Sequence, residues 1–156
     1  MAAVEVALRE PCVGPCFPVY TCDWCMMYKS LKPNPNLIVY NQPEMGRSVQ
    51  CLTEISEGSY IIDFAGQKLN RPRTGPYVME VIAEKLWIDA GNGGNISRFI
   101  NHSCSPNCEV YITPFTSRVM IFALKTIPAG EELTFRYTPQ LSSLPFDCLC
   151  SACQKN

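Results

Sequence analysis

The residues best equipped for chemistry are cysteines and a single histidine. Cys148-Leu149-Cys150-Ser151-Ala152-Cys153 presents three thiols in a tight loop. Zinc takes four nitrogen or sulfur ligands in a tetrahedron, with each thiolate about 2.3 Å from the metal. This tail therefore needs a fourth ligand from elsewhere. The stretch Asn95–Cys108, NISRFINHSCSPNC, offers two, Cys104 and Cys108, beside the chain's only histidine, His102. Near the other end, Cys12-x3-Cys16-x5-Cys22-x2-Cys25 has the makings of a second, all-cysteine zinc site, because a C-x-x-C pair is a good half-site. Disulfides or loose thiols are the other reading of those four. Cys51 falls in a strand-like stretch and reads as a small buried apolar residue.

Those residues need a scaffold, and 156 residues suffice for one domain with a real core. Apolar residues make up 47% and charged residues 17%, a balance of a folded chain and not of a disordered tail. The formal charge is −1 and there is no lysine or arginine run, so no direct nucleic-acid site is evident. No stretch approaches the roughly 20 apolar residues of a membrane span, so no membrane partner is expected. The start, Met1-Ala2-Ala3-Val4-Glu5, lacks the basic and apolar regions of a signal peptide. An intracellular protein with reduced thiols is the expectation, and zinc then accounts for ten cysteines better than a secreted disulfide scaffold does.

Between the cysteine segments the chain reads as short strands divided by turn residues. Strands are expected at Leu37–Tyr40, Ser48–Leu52, Tyr60–Phe64, Tyr77–Ile82, Leu86–Ile88, Glu109–Thr113, Val119–Leu124 and Leu133–Phe135, many rich in Val, Ile, Tyr and Phe. Glu57-Gly58, Gly91-Asn92-Gly93-Gly94 and Pro128-Ala129-Gly130 supply turns. Helical turns are expected only at Ile96–Asn101 and Val81–Lys85. The fold class is mainly β, and composition alone does not choose among β architectures.

Three motifs in order narrow the choice: NISRFINHSCSPNC, then Glu131-Glu132-Leu133-Thr134-Phe135-Arg136-Tyr137, then the C-x-C-x-x-C tail. Together they resemble the SET-domain protein lysine methyltransferases, over roughly Leu37 to Cys153. The resemblance implies a β-clip-like fold of small curled sheets with a pseudoknot and short helices, flanked by zinc-binding cysteine segments. It divides the chain into a pre-SET-like cysteine segment (1–35), a SET domain (36–138) and a post-SET zinc-binding tail (139–156). It favours Cys104 as the fourth ligand to Cys148, Cys150 and Cys153. The short final gap of the tail is similar to that of SET proteins with a MYND finger, although the sequence has no such finger.

The reaction the resemblance implies is methyl transfer from S-adenosylmethionine to a lysine amine. A lysine of pKa about 10.4 is only about 0.04% neutral at pH 7, a cost near 4.6 kcal/mol. An apolar channel beside a positive sulfonium lowers that pKa by desolvation and like-charge repulsion, and aromatic walls accept both the methylene stem and the methylammonium. By resemblance, Asn101 and His102 contact the cofactor, as do the Met45-Gly46-Arg47 turn and Tyr77. Arg98 and Phe99 help shape the same pocket. Tyr137 matches the catalytic tyrosine, and Phe64 and Phe135 line the substrate-lysine channel. Zinc is structural.

Two features depart from the family pattern. Ser48 replaces the second glycine of the motif near the cofactor. Asp63-Phe64-Ala65-Gly66-Gln67 stands where the family has Glu-Tyr-x-Gly-Glu, so Phe64 lacks a hydroxyl that touches the substrate amine. Phe135 occupies the family's phenylalanine/tyrosine switch. Two phenylalanines suit a roomy channel reaching di- or trimethylation; they equally suit a poorly oriented amine and a slow enzyme. The expected substrate is a histone tail, with a non-histone protein or a non-catalytic, partner-binding SET module as alternatives. A nuclear location follows only from the histone expectation.

Overall fold

The computed structural model describes residues 34–81, 85–113, 118–137 and 147–154. Cys12, Cys16, Cys22 and Cys25 lie outside the described residues. The described part is ten short strands in four small sheets with almost no helix. β1 (Leu37–Gln42) pairs antiparallel with β2 (Gly46–Cys51). The turn between them is set by Gly46, whose φ of 77° lies in the left-handed region that penalises a Cβ. A three-stranded sheet has the order β3 (Tyr60–Asp63), β9 (Val119–Ala123), β8 (Cys108–Ile112). A second has the order β4 (Gln67–Leu69), β6 (Leu86–Asp89), β5 (Val78–Val81). The two-residue strands β7 (Asn101–His102) and β10 (Thr134–Phe135) pair in parallel, with Thr134 opposite Asn101 and Phe135 opposite His102.

Alternation explains the sheets. In β9 the side chains of Val119, Ile121 and Ala123 are buried and those between are partly exposed, the period-2 pattern of a strand with one face on a core. That core joins Val49, Ile88, Ile100, Ile121, Ile127 and Leu133, all 2% exposed or less. Each fully buried aliphatic side chain contributes roughly 1.5–3 kcal/mol. Residues 131–133 run beside β2: the N–H of Leu133 donates to Val49 O at 2.8 Å and that of Cys51 to Glu131 O at 3.3 Å. Leu133 thus anchors in the core the segment that carries Glu132, Phe135 and Tyr137.

The strands expected from sequence all form, with ends shifted by a residue or two. One helical expectation needs correction. The turn expected over Ile96–Asn101 is a 3-10 helix that stops at Phe99, because Asn101 and His102 leave it to pair with β10. Of the turn expected over Val81–Lys85, residues 82–84 lie outside the described residues; at its ends, Val81 closes β5 opposite Leu86 and Lys85 has a φ of 49°. The sequence carries no signal for the polar strand β4 or the short helix α1 (Ser151–Gln154). No helix among the described residues is long and apolar enough to cross a membrane.

Candidate active site and metal centre

The β7–β10 pairing puts the two central motifs side by side, and polar side chains lock them together. Asn107 is 3% exposed. Its amide donates to Glu132 O at 2.7 Å and to Glu131 Oε1 at 2.9 Å, while its oxygen accepts the N–H of Thr134 at 2.9 Å. Asn101 donates from Nδ2 to Ser48 Oγ at 2.7 Å, to Glu132 Oε1 at 3.0 Å and, more weakly, to Arg47 O at 3.3 Å. One carboxamide therefore touches β2, β7 and the Glu131–Tyr137 segment.

His102 is buried, with Nδ1 accepting the N–H of Tyr137 at 3.1 Å and Nε2 lying 3.3 Å from Cys104 Sγ. Burial, reinforced by the charge of Arg136, holds its pKa below the usual histidine value. In the neutral ring the Nδ1 contact places the proton on Nε2, aimed at sulfur. The Tyr137 hydroxyl donates to Ile100 O at 2.7 Å. Its pKa is pushed up to about 12 by burial, by the Glu132 carboxylate and by Tyr77, so it is a neutral donor at physiological pH. The ring is 40% exposed, so the burial belongs to the hydroxyl end.

These groups face a groove of about 1240 Å³. Its lining includes every residue expected to contact the cofactor: Met45, Gly46 and Arg47 from the β1–β2 turn, Tyr77, Arg98 and Phe99, and Asn101 and His102. Tyr137 lines it too. Phe99 is stacked by two guanidiniums, Arg98 at 4.6 Å and Arg47 at 4.9 Å from its centroid, and meets the Tyr77 ring edge-on at 5.8 Å. Arg98 is fixed by donating to Ala90 O and Gly91 O, each at 2.9 Å. This wall of rings and cations suits a flat heteroaromatic ligand with an anionic group. Phe64 and Phe135 are 7% and 3% exposed and sit in the hydrophobic core, not on the groove surface; the Phe135 ring lies 5.0 Å behind that of Tyr137.

The far side of the groove is Asp147–Cys150. It is tied on by sulfur. The Sγ atoms of Cys104, Cys148, Cys150 and Cys153 all lie within 4.8 Å of one another. A regular tetrahedron around zinc puts thiolates about 3.8 Å apart. Cys104 Sγ is 3.7 Å from Cys148 Sγ and 3.5 Å from Cys153 Sγ, so the donor set fits zinc. Although burial opposes it, the Cys150 thiol is brought down to about 6 by the N–H groups of Cys104 and Cys153 and by neighbouring thiols, as suits a ligand that must bind deprotonated. Cys108 lies elsewhere, wholly buried against Asn107 and with its pKa raised by that burial to about 12. Cys51 is likewise buried, its thiol directed at Pro128 O.

Sequence reasoning misses several participants. Trp87 and Leu149 line the groove; Leu149 is findable as a large apolar residue held between two thiols. Ser48, Asn107 and Glu132 carry the hydrogen bonds that set the walls. In the sequence Ser48 stands out only as a missing glycine.

Comparison with known proteins gives a consistent result. The SET domain family model matches residues 46–138. Histone-lysine N-methyltransferase trithorax of Drosophila virilis is 32% identical over 83% of this chain and 4% of its own length. Histone-lysine N-methyltransferase SUV39H1 of Xenopus laevis is 28% identical over 92% of this chain and 40% of its own. Among solved structures, KRYPTONITE in complex with mCHH DNA, H3(1-15) peptide and SAH superposes with a TM-score of 0.65 at 32% identity, covering 75% of this chain and 26% of that one. Arabidopsis thaliana SUVH6 in complex with SAM gives 0.59 at 29% identity, covering 69% and 28%. The chain thus spans less than half the length of these relatives. With most of its length under the family model and the groove, strand pairing and cysteine cluster described above, this chain belongs to the SET-domain family.

Proposed function

We propose that this chain is an S-adenosylmethionine-dependent protein-lysine N-methyltransferase acting on a histone tail. The observation that carries the proposal is the groove on which the cofactor-contact candidates, Tyr137 and the cysteine-held tail converge. Two of its relatives are named histone-lysine N-methyltransferases, and a structural neighbour holds SAH with a histone H3 peptide.

S-adenosylmethionine supplies an activated methyl group: the new N–C bond forms as the S–C bond breaks, sulfur keeps the electron pair, and the product is S-adenosylhomocysteine. The chain's own residues bind and orient. The Gly46–Arg47 turn and the Asn101–His102 backbone form one wall, and Phe99 with its two arginines forms another. Tyr137, neutral and with its hydroxyl fixed on Ile100 O, stands at the rim as a polar point for orienting the amine. The lysine must lose its proton to water before attack, and apolar side chains favour that loss. Di- or trimethylation belongs to this reading: Phe135, in the core behind the Tyr137 ring, adds no second hydroxyl beside that of Tyr137. Zinc on Cys104, Cys148, Cys150 and Cys153 supplies only a crosslink that holds the tail over the groove. A nuclear location accompanies a histone substrate.

Zinc-loaded protein, labelled S-adenosylmethionine and core histones test this, with products read by intact mass. The expected result is one histone gaining two or three methyl groups, with Tyr137→Phe slower by at least about 100-fold. Cofactor binding without transfer to any histone would sink the histone assignment and favour a non-histone substrate or a non-catalytic, partner-binding module.

A further inference from the structure

We propose that Ser48 is a positioning residue for cofactor binding, acting as a pin between the β1–β2 turn and Asn101. This inference rests on the cofactor groove proposed above. Ser48 is 0% exposed. A hydroxyl there costs stability unless it is paired, and two of its partners belong to the groove's frame. Its O–H donates to Gln42 Oε1 at 2.8 Å, across the turn that carries Met45, Gly46 and Arg47. Its oxygen accepts from Asn101 Nδ2 at 2.7 Å.

The second acceptor for that amide is Glu132 Oε1 at 3.0 Å. An Asn amide has two hydrogens, and Ser48 and Glu132 take both, leaving Arg47 O as a shared arm at 3.3 Å. Rotation of the Asn101 side chain is thereby blocked from both sides. Asn101 and Arg47 line the groove directly, whereas Ser48 stands behind them and reaches a ligand only through them. The serine therefore fixes the distance between two groove walls drawn from β2 and β7, segments far apart in sequence. A glycine or alanine at this position would leave the Asn101 amide with Glu132 Oε1 and the longer contact to Arg47 O, and the turn without its side-chain tie to Gln42.

The test compares wild type with Ser48→Ala and Ser48→Cys, the latter keeping the side chain's shape with a slightly larger atom that is a weaker acceptor. Three readouts are taken: the dissociation constant for S-adenosylmethionine by calorimetry, the KM–kcat split for methyl transfer, and the Asn101 side-chain amide resonances of the free chain. The expected result in Ser48→Ala is a cofactor KM and Kd raised about tenfold, with kcat within about twofold and shifted Asn101 amide signals. Ser48→Cys moves the same way by less, and it carries the test where Ser48→Ala does not fold. Folded variants with cofactor Kd within about twofold of wild type overturn the proposal, as does an unmoved Asn101 amide. A wild-type chain that binds no S-adenosylmethionine sinks the functional reading instead. The Asn101 signals then still report whether Ser48 holds that side chain.

Discussion

The two long sides of the groove are built by different means. On one side, the Gly46 turn, Asn101–His102 and Tyr137 are fixed by hydrogen bonds among Ser48, Asn101, Asn107 and Glu132, rooted in a core that contains Val49, Ile100 and Leu133. On the other, Asp147–Cys150 is fixed through the sulfurs of Cys148, Cys150 and Cys153 gathered on Cys104. A wall made by packing forms whenever the domain folds. If the cysteine cluster holds zinc as proposed, that wall is made by ligation and its presence is separable from the fold. The hinge between the two regimes is His102, which accepts from the Tyr137 backbone on one nitrogen and faces Cys104 sulfur with the other.

Removing the metal separates the two walls most sharply. A structural zinc site contributes about 10–16 kcal/mol of apparent binding free energy, and losing the proposed one would free this wall. Chelation, or Cys153→Ser, is expected to reduce methyl transfer by at least about 100-fold, the penalty of a misplaced site. The cooperative unfolding transition of the β core should remain. Activity, bound zinc and thermal unfolding followed on the same samples decide the matter. Unfolding of the sheets together with zinc loss would mean that the two walls share one support.

Asn107→Ala attacks the other wall at its root. The substitution leaves Thr134 N–H, Glu132 O and the Glu131 carboxylate without their partner in a nearly closed site. Each orphaned buried group costs about 1–3 kcal/mol, so a destabilisation of about 2–4 kcal/mol is expected once water reaches some of them. Urea unfolding measures it. Zinc content should stay at the wild-type level, the reverse of the Cys153→Ser pattern. Loss of zinc in folded Asn107→Ala would show that the packed wall also positions Cys104.

Much of this division is legible in the sequence, and what is hidden follows one rule. Strands such as Val119–Ala123 announce themselves because alternation is local. The tail thiols announce themselves because ligand spacing is local too. The two-residue strand Asn101–His102 reads as the end of a helical turn, since its only reason to be a strand is a partner 33 residues later. Ser48, Asn107 and Glu132 are invisible as wall builders for the same reason: a polar side chain's partner is chosen by the tertiary fold. The polar strand Gln67–Leu69 has no apolar period to detect, and it forms because β6 offers it an edge. Phe64 and Phe135 read as channel residues by resemblance, while their apolar character places them equally well in the core where they lie.

A milder perturbation, pH, sharpens the contrast without mutation of either wall's anchors. Tyr137 on the packed wall and Tyr60 on β3 both have pKa values pushed up to about 12, by burial first and then by Glu132 and Asp63 respectively. Tyr60 also donates to Asp63 Oδ1, a carboxylate already clamped by Arg118 at 2.7 Å. Below pH 10 the phenols are protonated in both folded and unfolded chains, and their contribution is full. As pH rises from about 10 toward 12 the unfolded chain loses these protons first, so stability falls through that window. Both rings are about two-fifths exposed, at 40% and 39%, and solvent screening keeps the effect smaller than that of Cys153→Ser or Asn107→Ala. Urea unfolding at pH 9, 10 and 11 should show the decline, and Tyr60→Phe and Tyr137→Phe should each remove part of it. In Cys153→Ser the decline should persist, because the wall that holds Tyr137 does not depend on the metal; its disappearance there would place Tyr137 under the control of the cysteine cluster through His102.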